Sequence, residues 1–176
     1  ALTKAAMALS TGNVLSYQDP TLANVANIQV LPSDIPVLAQ FSLEDLGYLT
    51  ETFSGYGTSK AAYRFYISKS QVATQEGHID LVYYHSGLLA YGGGSTFSVY
   101  INGQIILSEV FSEESEQVTS LRIRIPPGIL RYGENLLEIA PTMLVLPSCE
   151  QPSTQETWFT ISNQTSLSLP PTTDSQ

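Results

Sequence analysis

The sequence has few of the residues on which catalysis, metal binding and disulfide formation depend. It contains a single cysteine, Cys149, and only two histidines, His78 and His85. One cysteine cannot form a disulfide within the chain, and this set provides no zinc-ligand spacing. The aspartates are scattered, so no calcium-binding loop is indicated, although a calcium site built from distant loops stays open. We therefore predict no metal site and no cofactor.

Positive charge and long apolar runs are also scarce. Seven Lys and Arg face 16 Asp and Glu, which gives a net charge of -9. A nucleic-acid-binding protein needs a basic surface, so this class is excluded, and docking on an anionic membrane is disfavoured. No apolar stretch approaches the length of a membrane-spanning helix, and no signal peptide is recognisable. We expect the chain to be part of a longer polypeptide whose targeting and anchoring segments, including a C-terminal membrane anchor, lie outside it.

What the sequence does contain is a regular series of alternating strands. Phe97, Val99 and Ile101 alternate with polar residues and end at Asn102-Gly103, a strong signal for a tight hairpin turn. Tyr, Phe, Val, Ile and Thr are concentrated in short runs separated by Gly, Pro, Asn and Ser. Nine strands are predicted: 37–42, 62–68, 79–85, 96–101, 104–107, 120–125, 135–140, 157–162 and 166–169. This pattern predicts an all-β fold, an antiparallel jelly-roll sandwich of the galactose-binding-like type.

The pattern also divides the chain into three parts. Residues 1–36 lack a strong period and are predicted to be an extension or linker, with a possible edge strand at 28–31. Residues 37–170 form the predicted jelly-roll domain. Residues 171–176 are predicted to be a C-terminal linker.

Groups that could perform catalysis are weakly indicated. Glu113, Glu114 and Glu116 form the densest acidic cluster, but they lie between strands and fit a solvated loop better than a pair of glycosidase carboxylates. His85 shares a face with Leu81 and is predicted to be a half-buried structural residue. No Gly-x-Ser-x-Gly motif is present. We therefore predict a protein that is not an enzyme, with a jelly-roll lyase or hydrolase as the least favoured class.

Aromatic residues are the remaining candidates for a binding site. The chain has 10 Tyr, 6 Phe and 1 Trp. The C–H faces of sugar rings stack on aromatic rings, so outward-facing aromatic residues favour a glycan-binding role. Tyr84 and Tyr100 are predicted to face outward, Tyr91 precedes a glycine-rich loop, and Trp158 lies in a predicted strand. Each could instead serve ordinary cross-strand pairing or packing at the edge of the core.

The order of several segments resembles BcsB, a family of accessory proteins of bacterial cellulose synthase. The segments are Leu43-Glu-Asp-Leu-Gly47, Phe53-Ser-Gly55, Tyr63-Arg-Phe-Tyr-Ile67, Leu81-Val-Tyr-Tyr-His-Ser86, Ser95-Thr-Phe-Ser-Val-Tyr-Ile-Asn-Gly103, Ile123-Arg-Ile-Pro126, Leu130–Leu136, Cys149 and Trp158–Ile161. They cover most of residues 40 to 170. Residues 1–36 match nothing in the family pattern.

The resemblance implies a role in polysaccharide export. It suggests the first carbohydrate-binding-like jelly roll of an exported, membrane-tethered accessory protein, located in the periplasm or at the outer face of the cell membrane. The expected partners are the catalytic subunit of cellulose synthase and the emerging β-glucan chain. We expect the domain to guide or bind that glucan, with Tyr84, Tyr91, Tyr100 and Trp158 as stacking residues. The alternative is a structural protein-interaction domain that has no affinity for sugar.

Overall fold

The computed structural model describes residues 40–68, 76–92, 94–145 and 156–169. The predicted N-terminal extension with its edge strand, Cys149, and the predicted C-terminal linker lie outside the described residues. The beginning of the first predicted strand, residues 37–39, also lies outside them.

Eleven β-strands and one short 3₁₀ helix make up the described part of the chain. The helix spans Glu113–Glu116 and lies between the seventh and eighth strands. The strands are β1 Gln40–Ser42, β2 Glu51–Ser54, β3 Gly57–Thr58, β4 Ala61–Ile67, β5 Gly77–His85, β6 Thr96–Ile101, β7 Gln104–Val110, β8 Thr119–Ile125, β9 Gly133–Met143, β10 Trp158–Ile161 and β11 Ser166–Ser168.

The strands form two antiparallel sheets. The first sheet has the order β1-β11-β5-β10-β2, with β8 also paired to β5. The second sheet has the order β3-β9-β6-β7, with β4 also paired to β9. The chain crosses repeatedly between the sheets before either is complete, which is typical of a jelly roll. The predicted all-β antiparallel sandwich is thus confirmed.

Strict alternation along the strands explains why the two sheets pack on each other. In β4, Ala61, Tyr63, Phe65 and Ile67 are buried, while the residues between them are exposed. The inner faces join across the sandwich, where the ring centroids of Tyr83 and Phe97 lie 4.9 Å apart and those of Phe97 and Phe159 lie 5.8 Å apart. Burial of such aromatic side chains is a main source of stability in a β-sandwich. The outer faces are left free for other roles.

The turns are formed as the sequence predicts. Asn102 and Gly103 both have positive φ, 52° and 79°, as the hairpin between β6 and β7 requires. The buried side chain of Asn135 accepts a hydrogen bond from the backbone N–H of Arg131 at 2.8 Å and donates one to the carbonyl of Gly133 at 3.1 Å. The side chain of Asn135 therefore holds the turn before β9 together.

Two features differ from the sequence prediction. The pattern does not predict β2 and β3, because each is too short to show alternation and Phe53 is the only apolar side chain larger than a methyl group in either of them. The acidic segment Glu113–Glu116 is a turn of 3₁₀ helix, whereas the sequence predicts a plain loop. The backbone N–H of Ser112 donates to Oγ of Ser115 at 3.1 Å, and that hydroxyl lies 2.9 Å from the Ser112 carbonyl. These contacts close the turn.

Candidate functional site

The four aromatic residues predicted from the sequence occupy three separate places. Tyr84 and Trp158 lie together on the outer face of the first sheet. Tyr100 lies on the outer face of the second sheet, and Tyr91 lies in the connection between β5 and β6. All four are half-buried. A single platform made of all four is therefore excluded, but none of the four is fully buried.

Tyr84 and Trp158 form a corner of two rings, which we call the aromatic corner. Tyr84 in β5 is paired with Thr160 in β10, and Trp158 precedes Thr160 by two residues, so the rings are diagonal neighbours on one face. Their centroids are 5.6 Å apart and their planes meet at 76°. This edge-to-face contact is a favourable arrangement for two aromatic rings and fixes both orientations.

Hydroxyl groups surround the aromatic corner. Thr160 lies opposite Tyr84 on one side and Thr52 on the other, and the two threonine hydroxyls are 2.8 Å apart. Ser54 lies opposite Trp158 on β2. Val118, just before β8, is 69% exposed and precedes the residue paired with Tyr83. The outer face here combines two rings, an exposed apolar side chain and several small hydroxyls.

The angle between the two rings limits what they can bind. Two nearly perpendicular rings cannot both lie parallel to the same flat surface. One ring can stack under the C–H face of a pyranose while the other contacts the edge of that sugar. Thr160 is buried at 2% exposure, but Thr52 and Ser54 are exposed, and their hydroxyls can exchange hydrogen bonds with sugar hydroxyls. The geometry suits a single sugar chain, and it does not suit the flat face of a polysaccharide crystal.

Further along β5, the same face carries charge. Asp80 is paired with Arg122 of β8, and the guanidinium donates to the carboxylate at 2.7 and 3.1 Å. This hydrogen-bonded pair lowers the pKa of Asp80. Nε2 of His78 lies 3.4 Å from the same carboxylate, and Arg124 is bridged to Glu76. The face thus changes from aromatic to ionic along the strand.

Tyr91 is held in place by the 3₁₀ helix. Its hydroxyl donates to Oε1 of Glu116 at 2.5 Å, and its ring meets His85 at a centroid distance of 5.8 Å. Burial, followed by the bond to Glu116, raises the pKa of the Tyr91 hydroxyl. Tyr91 therefore supports the connection between β5 and β6, and it lies outside the aromatic corner.

His85 and Ser115 form the contact most like a catalytic base and nucleophile. Nε2 of His85 lies 2.8 Å from Oγ of Ser115. Nδ1 lies 3.0 Å from the carbonyl oxygen of Ser86, so Nδ1 must carry a hydrogen. Both residues are closed off from solvent, with 1% and 3% exposure, and burial lowers the pKa of His85. No substrate can reach this pair in the present conformation. The predicted structural role of His85 is supported, but its burial is complete where the sequence predicts half-burial.

The two most exposed tyrosines of the described residues are missed by the sequence interpretation. Tyr66 in β4 is 70% exposed, and Tyr132 just before β9 is 58% exposed. Tyr66 could have been found from its place in the alternating run Tyr63-Arg-Phe-Tyr-Ile67, where it falls on the same face as Arg64. Tyr132 follows a turn, where no alternating pattern indicates its direction.

Within the four described ranges, no group of three or more His, Cys, Asp or Glu side chains is placed to hold a metal ion. None of the helices that the structure describes has the length and apolar character needed to cross a bilayer.

A known protein family matches most of the chain. The family model described as "Cellulose synthase BcsB, first CBM domain" matches residues 38–173. No curated protein matches the chain.

Two solved structures are distantly similar. Dimeric latent PorU from Porphyromonas gingivalis is 18% identical, with a TM-score of 0.46 over 69% of this chain. The chain spans only 11% of that protein. A family 35 carbohydrate binding module from an environmental isolate is 13% identical, with a TM-score of 0.42; the match covers 67% of this chain and 73% of that one.

The family match covers the sandwich from its first strand to its last. It agrees with the ordered segments from Leu43 to Ile161 that resemble the BcsB pattern. The chain belongs to the family of the first carbohydrate-binding-module domain of cellulose synthase BcsB.

Proposed function

We propose that this domain is a non-catalytic module that binds a single β-glucan chain at the aromatic corner of Tyr84 and Trp158. The observation that carries the proposal is the fixed edge-to-face contact of these rings, 5.6 Å apart, beside the exposed side chains of Thr52 and Ser54 on β2. Because the rings are already ordered, little side-chain entropy is lost when a sugar stacks on them. Tyr91 has no part in this site.

The family membership supports a proposal about where this binding takes place and with which partners. In the proposal, the domain belongs to an exported, membrane-tethered protein and lies on the extracytoplasmic side of the membrane. It contacts the catalytic subunit of cellulose synthase and guides the emerging glucan. The excess of acidic over basic residues keeps its surface from adhering to anionic lipid headgroups.

The experiment uses the fact that Trp158 is the only tryptophan. Titration of the full chain with cello-oligosaccharides should change the Trp158 fluorescence in a saturable way. Tyr84→Ala should weaken binding about two- to tenfold, since an aromatic contact contributes about 0.5–1.5 kcal/mol. Tyr91→Phe, which lies outside the corner, should leave binding unchanged. An unchanged Trp158 fluorescence of the wild-type chain at millimolar sugar would contradict the proposal.

A second candidate function is supported by strand β7. Among the described strands, β7 pairs only with β6, and its exposed side chains include Ile105 and Val110 at 54% and 41%. An open edge with apolar side chains can pair with a strand of another protein. In this case the domain would be a structural interaction module without sugar affinity. A β7 variant such as Ile105→Lys would then reduce association with the synthase, while cello-oligosaccharides would give no signal at Trp158.

A further inference from the structure

The outer face of the second sheet contains a tyrosine held over a strand by a glutamate. Tyr66 in β4 lies directly opposite Glu134 in β9. Its hydroxyl donates to Oε2 of Glu134 at 3.0 Å, while Nη1 of Arg64 lies 3.6 Å from Oε1 of the same carboxylate. Tyr66 is nevertheless 70% exposed. The ring is thus anchored at its tip and open to solvent along its length.

A second group of the same composition lies four residues further along β9. Tyr100 in β6 is directly opposite Glu138, and Nζ of Lys60 lies 2.9 Å from Oε1 of Glu138. Four residues of a strand span about 13 Å. Between the two glutamates on this face lies Leu136 in β9, with Arg64 opposite it on β4, and Ala62 lies opposite Glu138. The two groups therefore share one continuous surface.

Charge in these groups is balanced. Each glutamate has one basic partner, Arg64 for Glu134 and Lys60 for Glu138. A polyanion would be repelled by the carboxylates and a polycation by the basic groups, so neither gains from this surface. A neutral ligand with many hydroxyls fits it better. Hydroxyls can donate to the carboxylates and accept from the guanidinium and ammonium, while the rings stack on C–H faces.

We propose that this surface, the Tyr–Glu face formed by Tyr66, Glu134, Arg64, Tyr100, Glu138 and Lys60, is a second binding site for a neutral oligosaccharide. It lies on the opposite side of the sandwich from the aromatic corner, since the two are on the outer faces of different sheets. The ligand class is that of the proposed function, on which this inference rests. One domain would then contact two chains, or two segments of one chain, at the same time.

The test is an NMR titration of the full chain with cellotetraose, in which backbone amide shifts report each face separately. Two groups of saturable shifts are expected, one in β5 and β10 and one in β4 and β9. Tyr66→Ala should weaken the affinity measured from the shifts in β4 and β9 about two- to tenfold. The affinity measured from the shifts in β5 and β10 should stay unchanged. Leu49→Ala, which alters a side chain that is 82% exposed outside both surfaces, should change neither.

The outcomes separate this inference from the proposed function. Shifts confined to β5 and β10 would overturn the second site and leave the aromatic corner intact. If no shifts appeared in either region, both the second site and the proposed function would be contradicted. Shifts in β4 and β9 that Tyr66→Ala does not weaken would also overturn the proposal, because the ring would not be part of the contact. Tyr66→Phe should retain stacking but lose the bond to Glu134, so its affinity should fall between those of the wild type and Tyr66→Ala.

Discussion

The side-chain amide of Asn102 donates a hydrogen bond to Oδ1 of Asn135 at 2.9 Å, which ties the β6–β7 turn to the start of β9. Asn102 also accepts from the backbone N–H of Leu136 at 3.0 Å, and Asn135 donates to the carbonyl of Arg131 at 2.8 Å. Two turns far apart in sequence are therefore held by one buried amide network. Breaking such a network costs free energy, because the donors and acceptors left without a partner cannot bond to water instead.

Replacing Asn135 should destabilise the domain. In Asn135→Ala, the N–H of Arg131 and the amide of Asn102 lose a buried acceptor, which predicts a loss of about 2–4 kcal/mol in the free energy of unfolding. Urea denaturation of the variant and the wild type measures this. Asn163→Ala is a matched control, since the Asn163 side chain accepts only an exposed bond from Thr50. Equal losses in the two variants would show that the network has no special role.

The buried His85 should make stability depend on pH. Its pKa in the folded state is lowered by burial, so below the ordinary value of about 6.5 the unfolded chain binds a proton that the folded chain resists. Stability should therefore be constant above about pH 7 and fall as the pH decreases from there toward the lowered pKa of the folded state.

Denaturation at about pH 7.5 and about pH 5.5 tests this dependence on either side of the ordinary histidine pKa. His85→Gln should be less stable at neutral pH, because it disturbs the contacts to Ser86 and Ser115, but should show a flatter pH dependence. If His85→Gln retained the full slope, another group would be responsible.

The space beside Gly87 should control the ionisation of Tyr91. A Cβ added at Gly87 would lie 2.9 Å from Oε1 of Glu116, the atom that accepts the Tyr91 hydroxyl bond. Gly87→Ala should move this flexible carboxylate away and bring the raised pKa of Tyr91 closer to its ordinary value. NMR titration of the Tyr91 ring measures the shift. Glu116→Gln should act in the same direction, and an unchanged Tyr91 pKa in both variants would contradict the mechanism.

The Asp80–Arg122 pair should affect the ionisation of Asp80 more than the stability of the domain. The Arg122 side chain is 70% exposed, so solvent screening keeps the contribution of the pair to stability small. The lowered pKa of Asp80 means that this contribution is present above about pH 4 and is lost as the pH falls through the folded-state pKa. Arg122→Gln should raise the Asp80 pKa in an NMR titration and leave the free energy of unfolding almost unchanged. A larger loss of stability would indicate an additional role for Arg122.

The alternation of apolar and polar residues is sufficient to predict most of the strands. The predicted strand 96–101 has the bounds of β6 in the structure, and β4, β5 and β8 differ from their predictions by one or two residues. Alternation is a local property that each strand carries in its own side chains. The predictions 104–107 and 135–140 end three residues before β7 and β9 do. The missed elements lie where the signal is weak: β2 and β3 are very short, and Ser112–Ser115 contacts produce a 3₁₀ turn in a segment without apolar periodicity.

The candidate site can be predicted only in part. Alternation indicates that Tyr84 and Tyr100 face outward, but it cannot show that they lie on different sheets. Trp158 meets Tyr84 because β10 pairs with β5, a contact between residues 74 positions apart (158 − 84). The hydrogen bond from Tyr66 to Glu134 likewise depends on the pairing of β4 with β9.

The sequence by itself determined the all-β class, the inward and outward faces of most strands, the Asn102-Gly103 turn and the shortage of basic residues. These follow from side-chain chemistry and short-range geometry. Only the tertiary structure decided which strands are neighbours, and therefore which rings meet, which glutamates hold a tyrosine and which histidine is buried. Strand pairing depends on contacts between distant segments, and many arrangements of the same alternating strands would bury the same apolar side chains.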